Sequence, residues 1–419
     1  MTSEVFYSQQ PSSQTRVYFP NLNGLRFIAA LLVIVHHIEQ LKSMYGLPNV
    51  YSSSFIQIIG ELGVVLFFVL SGFLITYLLL EEESRTGGIG IRNFYVRRIL
   101  RIWPLYFLII LLALGVLPHI PLFTLPDYEK ERVLSNLFAK VLLYIFFLPN
   151  LVSPLFGIVP YASLTWSIGT EEQFYLVWPH VLKFVKKHRA ALMFIILFGY
   201  LLVARALFSD RTDFLPLKDA LSAFWYTFSI ASMAIGGFFA ILLHTNSPAL
   251  KFFLNKYLFY FALVFTSLML YKGVYFPQVV IHGMKFPYLY KEFYSIWFGI
   301  IILNFAANRD ILINLEIQPF NYLGKISYGL YMYHPIAITA ALQTNLRLGP
   351  VSDALIYPLS LALTILFAGL SYRYFESFFL NLKTNFASVL SGNGSFVEGA
   401  RRNQSFRSSP QTSQTARRE

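Results

Sequence analysis

Long apolar stretches alternate with short polar ones through most of the chain. A helix needs about 20 mostly apolar residues to cross the hydrocarbon of a bilayer. Stretches of that length or close to it cover residues 22–41, 55–80, 99–117, 165–185, 190–208, 220–243, 257–272, 293–307, 326–344 and 353–373. An eleventh run, 134–149, is shorter. The positive-inside rule arbitrates it, because Lys and Arg collect on cytoplasmic loops. Arg97, Arg98 and Arg101 precede the third span, Lys183, Lys186, Lys187 and Arg189 follow the fourth, and Arg373 and Lys383 follow the last. Keeping these clusters on one side requires an even number of crossings between 117 and 165, or none. The pattern predicts an all-α polytopic membrane protein of about ten transmembrane helices with both termini cytoplasmic. Residues near 134–149 are expected to form a re-entrant or interfacial helix on the outer side.

Composition removes the competing classes. The 419 residues are 56% hydrophobic and 13% charged, about half the charge of a soluble domain, and mean hydropathy is +0.56. The net charge of +12 fits Arg and Lys beside anionic headgroups and needs no nucleic acid. The absence of Cys rules out a protein acyl-thioester, Cys-ligated zinc, an iron–sulfur cluster and palmitoylation. Residues 1–20 are polar and lack an apolar core closed by a small-residue cleavage site, so the first apolar stretch reads as a retained helix. The expected organisation is a polar cytoplasmic tail at 1–20, a membrane domain at 21–380 and a disordered basic tail at 390–419. A multi-pass protein of the cell membrane follows.

Ionisable residues inside such spans cost about 2.5–3.5 kcal/mol each at the helix centre and call for a partner or a role. The first span, LNGLRFIAALLVIVHHIEQ, contains Arg26, His36 and His37. Arg26 and His37 lie 11 residues apart, which on an α-helix is within ~20° of one stripe and roughly 16 Å along the axis. His36 points about 100° away. The structural alternative is a snorkelling arginine and a satisfied packing histidine. In the second span, GELGVVLFFVLSGFLIT, the small residues Gly60, Gly63, Ser71 and Gly72 suit close helix packing. Glu61 could orient a histidine, hold a proton, or simply reach interfacial water.

The third span opens YVRRILRIWPLYF, with Arg97, Arg98 and Arg101 on one helix side. Three guanidiniums at a cytoplasmic mouth suit phosphates, which they bind in a bidentate way, or else they fix topology. LTWSIGTEEQFYLVWP places Glu171 and Glu172 among Trp166, Tyr175 and Trp178. Adjacent carboxyls suit a proton carrier or a dipole-favoured first turn. The aromatics suit an interfacial belt or a sugar-stacking platform. ISYGLYMYHPIAIT puts Ser327, Tyr331 and His334 on one stripe, and Pro335 strips the Tyr331 carbonyl of its helical donor. No cluster suggests a metal. No His is followed five positions on by Asp, and there is no P-loop, dinucleotide fingerprint, His-Glu-x-x-His or Gly-x-Ser-x-Gly.

Taken in order, these stretches resemble the acyltransferase-3 family of integral-membrane O-acyltransferases. Arg26 and His37 match its Arg-x10-His, residues 67–75 its FFVLSGFLI block, and Arg98 to Tyr106 its arginine-rich entry to the third helix. TWSIGTEEQFYLVWP and SYGLYMYHP match its later signatures, so the likeness runs over about residues 20–380. Many members have an Asp two residues before the FFVLSG block, where this chain reads Val65–Leu66, and Glu61 is the candidate substitute. The likeness is to the stand-alone form, without an extracytoplasmic esterase-like domain after the last span. It implies transfer of an acyl group, usually acetyl, from cytoplasmic acetyl-CoA as co-substrate to a hydroxyl of an outer-facing or lipid-linked carbohydrate. His37 would be general base or acyl carrier, assisted by Glu61, Glu171 or Glu172. Arg26, Arg98 and Arg101 would hold CoA phosphates. Trp166, Tyr175, Ser327, Tyr331 and His334 would line the acceptor side with the two glutamates. The alternative is a proton-coupled transporter or flippase for a polysaccharide or lipid precursor, against which the lack of paired half-repeats counts.

Overall fold

Backbone N–H and C=O groups find no water inside a bilayer, so each apolar stretch closes its own hydrogen bonds as a helix. The computed structural model describes residues 6–8, 15–209, 212, 214–275, 279–281, 284–286, 289–348 and 352–391. Every expected span is helical. The first three are α1 (Leu22–Met44), α2 (Ser54–Thr86) and α3 (Ile91–Leu111), the last prolonged by a π-turn at Leu112–Val116. Three short helices follow, α4 (Lys130–Leu134), α5 (Leu137–Ile145) and α6 (Pro149–Phe156). Next come α7 (Trp166–Phe184) and α8 (Arg189–Leu207), then α9 (Lys218–Thr227) and α10 (Ile230–His244), which share the sixth stretch. A turn of helix, α11 (Leu250–Phe253), leads to α12 (Lys256–Tyr271) and α13 (Leu289–Ala307). The chain ends with α14 (Gln318–Lys325), α15 (Ser327–Leu348), α16 (Asp353–Ser371), a π-turn at Tyr372–Glu376 and α17 (Ser377–Lys383).

Six helical segments satisfy both the length and the apolarity that crossing requires. Of the other four, α12 has 16 residues, whereas α7, α13 and α15 have 19 to 22 and fall short through polarity. Those polar helices carry Glu171, Glu172, Lys291, Glu292, Ser327 and His334. The short run near 134–149 holds α5, whose nine residues extend only about 14 Å, so it does not cross. Phe138 and Phe146 are 78% and 69% exposed, as an interfacial helix requires. Lys140 turns inward from the same helix and donates to the Val133 carbonyl at 2.9 Å. Burial holds its ammonium below the ordinary lysine pKa.

Helix α2 is the centre of the bundle. A Cβ on Gly72 would stand 2.0 Å from the Met233 carbonyl oxygen of α10, and one on Gly236 would stand 2.1 Å from that of Val69. The two backbones touch here because both helices present glycine, as small-residue packing in lipid demands. Gly72→Ala is therefore expected to destabilise the protein by about 1–3 kcal/mol through overpacking against backbone, read as a lower unfolding temperature in detergent.

One end of the bundle concentrates ion pairs. Arg97 binds Glu82 at 2.9 Å and Arg189 binds Glu83 at 2.6 Å, while Arg85 pairs with Glu81. At this basic end β1 (Phe6–Ser8) pairs with β2 (Thr15–Tyr18), and β2 pairs in parallel with β5 (Val389–Ser391). Residues 6–8, 15–18 and 390–391, expected as parts of the two tails, thus lie in paired strands, and the tail from 392 onward lies outside the described residues. A further hairpin, β3 (Val279–Ile281) with β4 (Met284–Phe286), lies between α12 and α13.

Candidate active site

Arg26 stands one turn into α1, and Arg98 and Arg101 stand about two and three turns into α3. The three open onto one cavity of about 370 Å³. Seven basic side chains line it (Arg16, Arg26, Arg97, Arg98, Arg101, Lys325 and Lys383) against three acidic ones (Glu82, Glu171 and Glu376). Arg97 is a strut, held by Glu82 and donating to the Phe386 carbonyl at 2.8 Å. Arg98 is differently placed. Its guanidinium lies 5.7 Å from the ring centroids of both Phe94 and Tyr175, and its buried Nε has no hydrogen-bond partner among the described residues. Arg26 has one bond, to Asn23 Oδ1 at 3.2 Å. The chamber therefore holds guanidiniums whose donors are not spent on protein carboxylates.

Its apolar wall comes from α2, with Val64, Phe67, Leu70, Leu74 and Leu78. Ser327 and Tyr331 of α15 line the opposite side, and the π-turn after α16 brings in Tyr372 and Glu376. Such π-turns recur at functional sites because the extra residue re-aims side chains. Tyr331 donates to the Leu164 carbonyl at 3.0 Å and lies 2.8 Å from Ser167 Oγ, which ties α15 to the start of α7.

Beyond Tyr331 stand two histidines. The ring centroids of His37 and His334 are 4.8 Å apart, and His334 lies 5.7 Å from Tyr331. His37 Nδ1 is 2.9 Å from the Val33 carbonyl, and His334 Nδ1 is 2.6 Å from that of Tyr331. A carbonyl only accepts, so each Nδ1 carries the proton and each Nε2 keeps its lone pair. Pro335 makes the second contact available, since it lacks the N–H that would otherwise occupy the Tyr331 carbonyl. His334 Nε2 is buried and unpartnered among the described residues. His36 leaves the pair, donating from Nδ1 to the Ile56 carbonyl of α2 at 2.7 Å and packing where Gly60 has no side chain.

Several sequence expectations are corrected. Glu61 does not reach His37, because Tyr226 and Tyr290 both donate to its carboxylate at the far end of α2. Glu171 does not stand apart from the arginines on an outer side. It lines their chamber and accepts from Tyr175 at 2.8 Å, while Tyr175 also bonds Ser71. Glu172 accepts from Trp103 Nε1 at 3.1 Å and lies outside the chamber lining. Trp178 is no belt residue, being 2% exposed and donating to Thr76 Oγ1 at 2.9 Å. Trp166 packs against Phe68, with centroids 6.0 Å apart.

Sequence reasoning missed Lys325, Lys383 and Glu376, whose only signal was a basic or acidic residue next to a span end. It also missed Glu39, fully buried and paired with Lys42 at 2.8 Å, whose carboxylate accepts from Tyr357 at 2.6 Å. No group of three or more possible metal ligands occurs among the described residues.

Comparison with known proteins places this architecture. The family profile described as an acyltransferase domain matches residues 19–373. The peptidoglycan O-acetyltransferase OatA of Listeria monocytogenes is 26% identical over 394 residues, covering 87% of this chain and 56% of that protein. YrhL of Bacillus subtilis, whose name assigns it provisionally to peptidoglycan O-acetylation, is 29% identical over 381 residues, covering 87% of this chain and 55% of its own length. The chain thus spans a little over half the length of these relatives. No solved structure matches it. The profile covers most of the sequence, including both histidines and every arginine of the chamber except Arg16, and the protein belongs to the acyltransferase-3 family of membrane proteins.

Proposed function

We propose that the protein is an O-acyltransferase that accepts an acyl group, acetyl in the first instance, from acyl-CoA bound in the basic chamber. The acceptor is a hydroxyl of an extracytoplasmic or lipid-linked carbohydrate, and the names of the relatives make peptidoglycan the first to test. The observation that carries this reading is a basic chamber lined by Arg26, Arg98 and Arg101 whose Tyr331 wall packs 5.7 Å from His334, itself 4.8 Å from His37. Coenzyme A presents about four negative charges on its phosphates, close to the excess of basic over acidic side chains in the chamber lining. The apolar α2 wall suits the pantetheine arm.

In this mechanism His37 Nε2 takes the proton of the acceptor hydroxyl as its oxygen attacks the thioester carbonyl. The C–S bond then breaks, the acyl ester forms, and the CoA thiolate leaves and is reprotonated from the imidazolium. His334 holds the other face of His37 and supplies a second lone pair for the same proton. The donor enters from the cytoplasm, because the basic end carries the Lys and Arg clusters that the positive-inside rule assigns there. The absence of Cys makes the test simple, since a thiol reagent will report released CoA with no protein background. Purified protein in lipid should release CoA thiol from acetyl-CoA when muropeptides are added and should leave an ester-linked acetyl on them by mass spectrometry. Acceptor-independent thiol release, with no acetyl ester, would refute transfer.

A further inference from the structure

Part of the chamber lining comes from the segment that follows the π-turn at Tyr372–Glu376. Beside Arg98 and Arg101, the lining takes in Leu380, Asn381, Lys383 and Thr384, together with Val389 of β5 and Arg16 of β2, the paired strands of the basic end. Lys383 is the last residue of α17. That helix packs against α3, and the turn after it is pinned by Arg97, which donates to the Phe386 carbonyl at 2.8 Å. Lys383 is half-buried, faces the cavity, and makes no ion pair or hydrogen bond among the described residues. An ammonium held beside several guanidiniums without a counter-charge is costly, and a bound anion removes that cost. The three carboxylates of the lining have other partners: Glu82 binds Arg97, Glu376 accepts from Ser371 at 3.0 Å, and Glu171 accepts from Tyr175 at 2.8 Å.

The linear order of coenzyme A then assigns the groups. With the thioester toward Tyr331, against which His334 packs, and the pantetheine arm along α2, the pyrophosphate meets Arg26, Arg98 and Arg101. The remaining charged group, on the ribose, falls to the uncommitted cation that α17 adds to the lining, Lys383. We propose that Lys383 binds the 3′-phosphate of coenzyme A and makes the chamber selective for CoA over donors that lack this phosphate. The assignment rests on the acyl-CoA reading and adds a specificity residue to it.

The experiment measures binding of CoA and of 3′-dephospho-CoA to the full-length protein in lipid nanodiscs by calorimetry. The unaltered protein should prefer CoA by roughly tenfold or more, the scale of a charge-assisted phosphate contact. Lys383→Gln should lose that preference by weakening CoA alone, with dephospho-CoA binding unchanged, and Lys383→Arg should keep it. Unchanged dephospho-CoA binding also certifies that the variant is folded, and Lys383→Met serves the same comparison should Lys383→Gln prove unstable. Equal weakening of both ligands, or no weakening of CoA, overturns the role of Lys383 while leaving the chamber as the donor site. Failure of the unaltered protein to bind either ligand refutes the acyl-CoA reading itself.

Discussion

His37→Gln is expected to lower acyl transfer by about 10²–10⁴-fold, the range general-base catalysis contributes, while the protein still inserts and binds donor. Glutamine offers the Val33 carbonyl an N–H in place of Nδ1 but has no nitrogen lone pair able to take a proton. The loss should therefore fall on turnover and leave donor affinity alone. His36→Gln is the control. Its imidazole is committed to the Ile56 carbonyl at 2.7 Å on the α2 side, and most activity should survive. His334→Gln should be impaired, because the group packed 4.8 Å from His37 then lacks its unpartnered Nε2. Assays at matched membrane levels decide this, and robust transfer by His37→Gln would remove His37 from the chemistry.

The second large effect is on donor binding. Combining Arg98→Ala with Arg101→Ala should weaken acetyl-CoA binding by a hundredfold or more, since truncating one partner of a buried charge pair costs about 2–5 kcal/mol. Replacing both with Lys should recover only part, because an ammonium lacks the bidentate fork. Arg97→Gln should behave differently despite being adjacent. Its guanidinium is engaged by Glu82 at 2.9 Å and by Phe386, so thermal stability should fall more than donor affinity. Equal effects at positions 97 and 98 would reduce the cluster to a topology signal.

The contrast between Arg97 and Arg98 marks how far the sequence reaches. Helical periodicity places Arg97, Arg98 and Arg101 on one side of α3, and all three line the chamber; it also places Arg26 on the stripe of His37, yet Arg26 lines the chamber and His37 lies outside its lining. What periodicity lacks is the rotation of one helix against another. Glu61 looked like a partner for His37 because both sit toward the same end of neighbouring helices. Its face of α2 instead turns toward α9 and α13, where Tyr226 and Tyr290 donate to it. His334, nearly 300 positions away, takes the place beside His37 instead.

Glu171 follows the same logic. Counting from the start of α7 puts it near the outer end, but a chamber that runs deep between α1, α2 and α3 reaches it from the basic end. The π-turn at Tyr372–Glu376 was illegible for another reason, since a single extra residue per turn leaves no compositional trace. Without that turn, neither the placement of Glu376 nor that of α17 with Lys383 follows from the pattern. The apolar stretches were legible as helices, although the sixth divides into α9 and α10, and so was the short α5, because bilayer thickness and backbone satisfaction leave apolar length as the governing quantity.

The most direct test of the central claim uses sealed vesicles containing the protein, with labelled acetyl-CoA confined to one side and muropeptides to the other. Orientation is fixed by labelling Lys187→Cys, the only thiol in a chain that otherwise has none. The account predicts that acetyl esters form on the muropeptides only when donor is on the side where residue 187 is labelled, and that His37→Gln forms none. Transfer from donor supplied to the opposite side, or equal transfer by His37→Gln, would contradict it.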